Sequence, residues 1–383
     1  MYSLKLNLIN LYCEEERWVS SIAMMNVCFL QVFFIRFKPH ILIIFTQFGY
    51  TFLYFFVDAS FKHGMNPHVH ITYRQTLATI TLLPFAYFLE RKLRPRITLA
   101  LFLEIFVLSL LGVTLSTNTY FASLRYTSPT FITSMLNTIA GLTFIIAVVV
   151  RLEVVEFDNP KGIAKVMGTL VSLGGVLIMT FYKGPIIRNV CQPLIHIQHK
   201  ATYHLHEDWL KGSLLTVSSC LSWAISYILQ AFTLKRYPAP LSLTTWMNLF
   251  GAVQTAVYTV STQHKAGVWN IGFNIDLWAI IYAGLMCSSI IIYIQLWCTE
   301  ERGPVFVTMY NPLGSILVAL LSYFVVGQKL YLGSIVGGGI VIIGLYLLLW
   351  GKQDDEQKLQ NKSPLESDSV HQTSKQSDFQ ISP

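Results

Sequence analysis

Charged residues are scarce in this chain. Only 12% of its 383 residues are Asp, Glu, Lys or Arg, whereas soluble globular proteins carry roughly 25%. Hydrophobic residues make up 53% of the sequence, and they occur in blocks of about 20, the length that spans the hydrocarbon core of a bilayer. The shortage of charge therefore excludes an ordinary soluble domain and predicts an integral membrane protein with many crossings.

Paired cysteines and enzyme motifs are also missing. The six cysteines show neither a CxxC motif nor paired spacing, so we expect free thiols. No GxxxxGKS/T, HExxH or GxSxG motif occurs, so we expect no ATP-driven pump, no catalytic residues and no cofactor. The net charge of +7 resides in short basic runs between apolar blocks. Such runs are topology signals rather than a nucleic-acid surface.

Ten apolar segments have the length and composition of membrane spans. They cover residues 41–59, 71–89, 99–120, 130–150, 163–182, 211–231, 241–261, 274–295, 304–326 and 331–350. If the C-terminal tail is cytosolic, fifteen Lys and Arg residues lie on the cytosolic side and eight on the other, as the positive-inside rule requires. Residues 18–37 form another apolar stretch. We interpret it as part of an extension, with an eleventh span as the alternative.

The two halves of the sequence resemble each other. Ser128-Pro-Thr-Phe-Ile-Thr133 matches Gly303-Pro-Val-Phe-Val-Thr308 at a shift of 175 residues. Five spans per half is an odd number, so the second half enters the membrane in the opposite orientation, as in many secondary transporters. We therefore predict an all-α integral membrane protein of ten transmembrane helices in two inverted five-helix repeats. The predicted segments are an N-terminal extension (1–37), the first repeat (38–182), an inter-repeat loop (183–210), the second repeat (211–350) and a disordered cytosolic tail (351–383).

Several predicted spans carry polar side chains at helical spacing, which a helix surrounded by lipid does not need. Examples are Thr72, Gln75, Thr76 and Thr79 in the second span, and Ser219, Ser222, Ser226 and Gln230 in the sixth. One interpretation is a water-filled cavity for a polar substrate; the alternative is hydrogen bonding between packed helices. The candidate substrate-binding residues are Arg74, Gln75, Asn118, Tyr126, Asn137, Gln295, Tyr310 and Asn311.

Arg74 has two interpretations. Its guanidinium group can hold a substrate carboxylate through two parallel hydrogen bonds, or it can extend to the membrane interface. Pro129, Pro304 and Pro312 are candidate gating points, although Pro129 and Pro304 can equally start spans four and nine. No carboxylate lies deep in a predicted span, so no proton-coupling acid is evident.

Two further features are not assigned to the transport path. Small residues at four-residue spacing in spans five and ten (Ala164, Gly168 and Ser172; Gly333 and Gly337) allow close helix packing, so we interpret these spans as a scaffold or as the face of a homodimer. Four histidines occur in the inter-repeat loop, His196, His199, His204 and His206. We expect a solvated loop there rather than a metal site.

Several short motifs occur along the chain. They include Gly64-Met65-Asn66-Pro67, Tyr73-Arg74-Gln75, Pro84-Phe85-Ala86-Tyr87-Phe88, Tyr182-Lys183-Gly184-Pro185, Gly303-Pro304-Val305-Phe306 and Asn311-Pro312-Leu313. Taken together, they resemble the motifs of plant drug/metabolite transporters, in particular the walls-are-thin-related, nodulin-like group with EamA domains, also called UMAMIT. The resemblance covers roughly residues 38–352. The sequence departs from the family at Gln328, where a Glu is common, and at Thr117, where a Gln is common.

The resemblance implies ten helices in two EamA repeats, and export or bidirectional transport of amino acids, auxin or related metabolites. It also implies residence in the plasma membrane or the vacuolar membrane. From the residues and the resemblance together we predict a carrier for small polar organic molecules, working by alternating access at a central cavity. The partners expected are a small-molecule substrate and the lipid bilayer, without nucleic acid. A non-transporting scaffold or receptor is the alternative.

Overall fold

The computed structural model describes residues 37–92, 94–123, 126–127, 132, 135–153, 155, 158–182, 184–187, 209–263, 266–326 and 330–352. The chain divides into two compact units, residues 1–45 and 46–383. The described part of the first unit, residues 37–45, is helical. All contacts below lie within the second unit. The expected extension 1–37, the four loop histidines and the expected tail fall almost wholly outside the described residues.

The described part of the chain is built from α-helices. Most of them match the predicted spans to within a few residues at each end, whereas the described part of α4 is shorter than its predicted span 130–150. The helices are α1 (Phe37–His63), α2 (Pro67–Leu89), α3 (Leu99–Ser123), α4 (Met135–Val149), α5 (Pro160–Phe181), α6 (Trp209–Arg236), α7 (Pro240–Thr262), α8 (Ile275–Arg302), α9 (Pro304–Val325) and α10 (Leu332–Lys352).

Seven helices in the described ranges are long and apolar enough to cross a membrane, namely α1, α3, α5, α6, α8, α9 and α10. Helices α2 and α7 each have 23 residues but contain more polar side chains, and α4 is shorter. A short antiparallel pair, β1 (Ile186–Ile187) with β2 (Leu330–Tyr331), is the one addition to the predicted all-helical fold within these ranges. The chain is therefore a multi-pass membrane protein.

Local sequence sets where several helices begin. The Asn66 side chain accepts a hydrogen bond from the His68 amide at 2.9 Å, and Asn159 caps α5 through the Lys161 amide at 3.1 Å. In both cases proline follows at the first helical position, where its missing N–H is not needed. Pro304 likewise begins α9. This agrees with its interpretation as the start of a span, whereas Pro129 lies outside the described residues.

Helices α2 and α7 pack along each other, and a buried carboxylate fixes one end of the contact. Both oxygens of Glu90, which follows α2, accept backbone hydrogen bonds at the beginning of α7, from Leu241 at 2.9 Å and Ser242 at 2.6 Å. These amides have no partner within their own helix, and the positive end of the helix dipole favours the carboxylate. At the other end, the Thr72 and Thr259 hydroxyls lie 3.3 Å apart.

The small residues of α5 and α10 face each other. A Cβ atom added to Gly344 would lie 2.4 Å from the Ser172 backbone nitrogen, and one added to Gly175 would lie 2.8 Å from the Gly337 carbonyl oxygen. Only glycine permits this approach of two backbones. The predicted small-residue faces therefore pack together within one chain, as the scaffold interpretation expects. A homodimer through these helices would use their other faces.

Three helices are interrupted within their length. Helix α9 breaks at Tyr310, between Pro304–Met309 and Asn311–Leu321, because Pro312 cannot donate the helical hydrogen bond. Helix α3 contains a π-helical stretch at Leu110–Leu115, and α8 contains one at Ala283–Ile291. Such stretches are frequent at functional sites, and the one in α8 lies in the region described next.

Candidate functional site

Polar side chains from several helices meet near the middle of the helices. The Tyr50 hydroxyl of α1 donates to Gln295 Oε1 of α8 at 3.2 Å. The Tyr227 side chain of α6 interacts with both Gln295 and Asn311, which begins the second part of α9. Gln47 of α1 lies against α9, where a Cβ atom added to Gly314 would lie 2.8 Å from Gln47 Oε1. We call the residues of this region the central cluster, which comprises Gln47, Tyr50, Arg74, Tyr227, Asn248, Ser288, Gln295 and Asn311.

Arg74 of α2 supplies the positive charge of the central cluster. Its Nε donates to the Ser288 hydroxyl at 2.7 Å. Its positive charge also interacts electrostatically with the Tyr50 side chain. Ser288 lies in the π-helical stretch of α8, and its carbonyl oxygen accepts from Asn248 Nδ2 of α7 at 2.9 Å. The guanidinium is therefore oriented by a neutral hydroxyl, and no carboxylate of the described residues forms an ion pair with it.

Several amide groups in and beside the central cluster are buried without a hydrogen-bond partner in the described part of the chain. They are Gln47 Nε2, both polar atoms of Gln75, Asn248 Oδ1 and Gln295 Nε2. Buried polar groups are nearly always satisfied in folded proteins, because leaving one unpaired costs about 1–3 kcal/mol. This concentration of unpaired amides fits a site where a ligand or water completes the hydrogen bonds.

The structure brings together three of the eight predicted binding residues, Arg74, Gln295 and Asn311. Gln75 is fully buried on α2, and neither end of its side-chain amide has a partner. Asn137 of α4 accepts a hydrogen bond from Ser315 of α9 at 2.8 Å, which joins the two halves of the chain.

Three predicted residues lie in other surroundings. Asn118 Oδ1 lies 2.6 Å from His68 Nδ1, and Asn118 Nδ2 donates to the Thr114 carbonyl at 2.7 Å, so each polar atom of its amide has a partner. Lys211 lies over the Tyr126 ring at 5.0 Å. The buried Tyr310 ring packs edge-on against Phe306 at 5.4 Å between centroids. The contacts of these three residues fit a role in helix packing as well as a role in substrate binding.

Five members of the central cluster are not among the binding residues predicted from the sequence. They are Gln47, Tyr50, Tyr227, Asn248 and Ser288. Gln47 and Tyr50 lie three residues apart, on one face of α1. This polar pair in an otherwise apolar span is the feature of the sequence that could have identified α1 as part of the site. Tyr227 adjoins the serine stripe of α6 but lies on a different face.

The serine stripe of α6 follows the packing alternative. Ser219 Oγ donates to the Ser116 carbonyl of α3 at 2.7 Å. Ser226 lies against Gly112 of α3, since a Cβ atom added to Gly112 would lie 3.1 Å from the Ser226 side chain. The threonine hydroxyls of α2 also bond to their own helix: Thr76 to the Thr72 carbonyl and Thr79 to the Gln75 carbonyl. The hydrogen bonds of these hydroxyl groups are therefore formed within and between the packed helices.

Each end of the helices carries a further polar group. At the predicted outer end, Asp276 of α8 accepts from Ser60 at 2.6 Å and pairs with His63 at 2.9 Å, both on α1. At the predicted cytosolic end, Glu153 forms a buried ion pair with Lys352, and Lys352 Nζ also lies 3.4 Å from the Arg302 carbonyl oxygen. We call Glu153 and Lys352 the inner pair. No metal-binding group occurs among the described residues.

Comparison with known proteins decides the family. The model of the EamA-like transporter family matches residues 37–181 and again residues 210–350. The chain belongs to the EamA-like transporter family. Its expected membership of the plant walls-are-thin-related group is confirmed by its curated relatives. The WAT1-related proteins At4g08300, At1g21890 and At5g07050 of Arabidopsis thaliana are 39%, 38% and 38% identical over 325, 330 and 329 residues.

These alignments cover 84% of this chain each, and 87%, 85% and 82% of the three relatives. One solved crystal structure superposes with a TM-score of 0.62 over 82% of this chain and 98% of its own length. At 14% identity that likeness shows the fold alone. The family consists of membrane transporters rather than enzymes, in agreement with the expectation that this chain has no catalytic site.

Proposed function

We propose that this transporter is a carrier for small polar organic metabolites, such as amino acids or auxin, and that it works by alternating access at the central cluster. The observation that carries the proposal is the meeting of α1 and α2 from the first half with α6, α7, α8 and α9 from the second around amides that lack partners. Substrate sites of secondary transporters lie near the midplane between two repeats. The predicted residues Gln75, Asn118, Tyr126, Asn137 and Tyr310 are proposed to contribute with Arg74, Gln295 and Asn311.

The proposal includes ten membrane crossings in two inverted repeats, residues 38–182 and 211–350, joined by the loop 183–210. The two separate matches to one family model support this arrangement. Residues 1–36 are proposed to be an extension and residues 353–383 a cytosolic tail, because Phe37 belongs to α1 and Gly351 and Lys352 belong to α10. The plasma membrane or the vacuolar membrane is the proposed location, and a homodimer through the outward faces of α5 and α10 is the proposed assembly.

Alternating access requires contacts at both ends that form and break in turn. The outer group of Asp276, Ser60 and His63 joins α1 to α8. The inner pair joins the segment after α4 to the end of α10. These polar contacts are candidates for the two closures, and the break in α9 beside Asn311 supports movement close to the substrate.

The test is efflux from cells preloaded with a labelled mixture of amino acids and auxin, with and without the full-length protein. We expect selective efflux of at least one compound, and at least a tenfold loss of it in Asn311→Ala. Asn270→Ala is the matched control, because Asn270 is an exposed asparagine outside the helices. A folded, inserted protein that moves none of these compounds, nor others in a broader uptake screen, would favour the scaffold or receptor alternative.

A further inference from the structure

Nearly all charged residues of the helices lie close to a helix end. Every Asp and Glu in the helices α1 to α10 lies at most five residues from a helix end; these residues are Asp58, Glu104, Asp276, Glu300 and Glu301. Lysines and arginines follow the same rule with one exception. Arg74 lies seven residues after Pro67, and the Ser288 hydroxyl that it contacts lies thirteen residues after Ile275, in the middle of α8.

Arg74 is therefore a deep cation without a counter-ion in the described residues. Among the described residues, Arg74 makes one side-chain hydrogen bond, from Nε to the neutral Ser288 hydroxyl, which leaves its two terminal guanidinium nitrogens available. The Asp276 carboxylate is already held by Ser60 and His63. His70, one turn before Arg74, is buried with both ring nitrogens unpaired, and a proton on His70 would only add positive charge.

The other groups of the central cluster are neutral. They are phenol hydroxyls, amides and one serine hydroxyl, from Tyr50, Tyr227, Gln47, Gln295, Asn311, Asn248 and Ser288. Neutral donors stabilise a carboxylate well, because a bond to an ionised acceptor is stronger than a neutral one. They compensate a buried ammonium group much less well than a carboxylate would, and Arg74 would repel it.

We propose that the central cluster selects organic monoanions, that is, carboxylates without a protonated amine, over zwitterions and cations. The free terminal nitrogens of the Arg74 guanidinium bind the substrate carboxylate. The hydrogen bond from Nε to Ser288 fixes the orientation of the guanidinium group. Bound substrate then makes the site electrically neutral, whereas a zwitterion would leave one net positive charge and a badly compensated ammonium. This inference rests on the proposed carrier function and names the substrate class of the same site.

Three compounds that share a phenyl ring and a short chain test the inference. They are 3-phenylpropanoate, phenylalanine and 2-phenylethylamine, which are an anion, a zwitterion and a cation at neutral pH. Initial rates are measured with the purified full-length protein in proteoliposomes at pH 7.5, after subtraction of protein-free liposomes. We expect kcat/KM for 3-phenylpropanoate to exceed that for phenylalanine at least tenfold, with no measurable transport of 2-phenylethylamine.

Variants at Arg74 sharpen the test. Arg74→Gln removes the charge and should abolish the preference, with more than a tenfold loss for the anion and a smaller change for the zwitterion. Arg74→Lys keeps the charge but loses the planar fork, so it should retain the order of preference at a reduced rate. Lys235→Gln, which removes a positive charge from the last turn of α6, is the control and should leave the order unchanged.

The outcomes separate the two claims. Transport of phenylalanine at a rate equal to or above that of 3-phenylpropanoate would overturn the charge selectivity and leave the carrier function standing. Retention of the anion preference in a well-folded Arg74→Gln protein would remove Arg74 from the explanation and overturn the inference. If none of the three compounds is transported or bound, and the broader screen also fails, the carrier proposal falls with it.

Discussion

Two regions of this transporter bury polar groups in opposite ways. At the predicted cytosolic end, Lys352 is a buried cation paired with the buried carboxylate of Glu153, and α10 lies so close to α5 that only glycines fit between the backbones. In the central cluster, Arg74 has no carboxylate partner among the described residues, and several amides have no partner at all. In the first region the buried charges are paired with each other, whereas in the second region polar groups lack partners.

The difference distinguishes structural polar groups from ligand-binding ones. A buried ion pair offsets its desolvation cost only when both partners and good geometry are present, so the inner pair stabilises the conformation seen here, in which the segment after α4 and the end of α10 are joined. A site that remains unsatisfied in the folded chain keeps a desolvation cost that a substrate can remove on binding. The comparison therefore predicts that substitutions in the two regions change stability and transport in different proportions.

The largest effect on stability is expected for Glu153→Gln. It leaves Lys352 buried without its counter-ion, and breaking a buried pair in this way costs roughly 3–5 kcal/mol. We expect a lower midpoint of thermal unfolding in detergent. The double variant Glu153→Gln, Lys352→Met removes both charges and should recover much of the loss. A single variant as stable as the parent would contradict the role assigned to the inner pair.

A smaller loss is expected for Gly344→Ala at the contact of α5 with α10. The new methyl group would lie 2.4 Å from the Ser172 backbone nitrogen, so the helices must separate, at a cost of about 1–3 kcal/mol for overpacking. Gly339→Ala is the matched control on the same helix, because an added Cβ there meets nothing within 4 Å. Equal unfolding midpoints for the two variants would show that the helices are not so closely packed.

The opposite sign is expected for Gln75→Leu beside the central cluster. Both polar atoms of this buried amide are unpaired, so an apolar side chain of similar size should stabilise the protein by about 1 kcal/mol. Transport should fall at the same time if Gln75 contributes to the proposed site. Thermal unfolding and substrate efflux are measured on the same preparation. A clear loss of stability would mean that Gln75 has a partner when the protein is in the membrane.

The sequence predicted most of the fold because its signals are local. Apolar length located the helices, proline and asparagine fixed the beginning of α2 and α5, and the small-residue spacing singled out α5 and α10 as closely packing helices. The motifs also identified the family, which the comparisons confirm. None of these signals depends on which helix lies next to which.

The site was predicted only in part, because it depends on that arrangement. Periodicity shows that residues share a face of a helix, but in a membrane every face is surrounded by apolar atoms, so the sequence does not indicate which neighbour a polar face meets. The serine stripe of α6 proved to pack on α3, and Asn118 is held by His68. Tyr227, on another face of α6, lies in the central cluster.

By itself, then, the sequence determined the class of protein, the positions of the helices and the absence of deep carboxylates from the helices. The last property needs only residue numbers, since depth follows from distance along a helix. The tertiary structure decided that Arg74 meets Ser288 rather than an acid, and that Lys352 meets Glu153. Whether a charge within the helices is paired depends on contacts between residues distant in the sequence, and those exist only once the helices are packed.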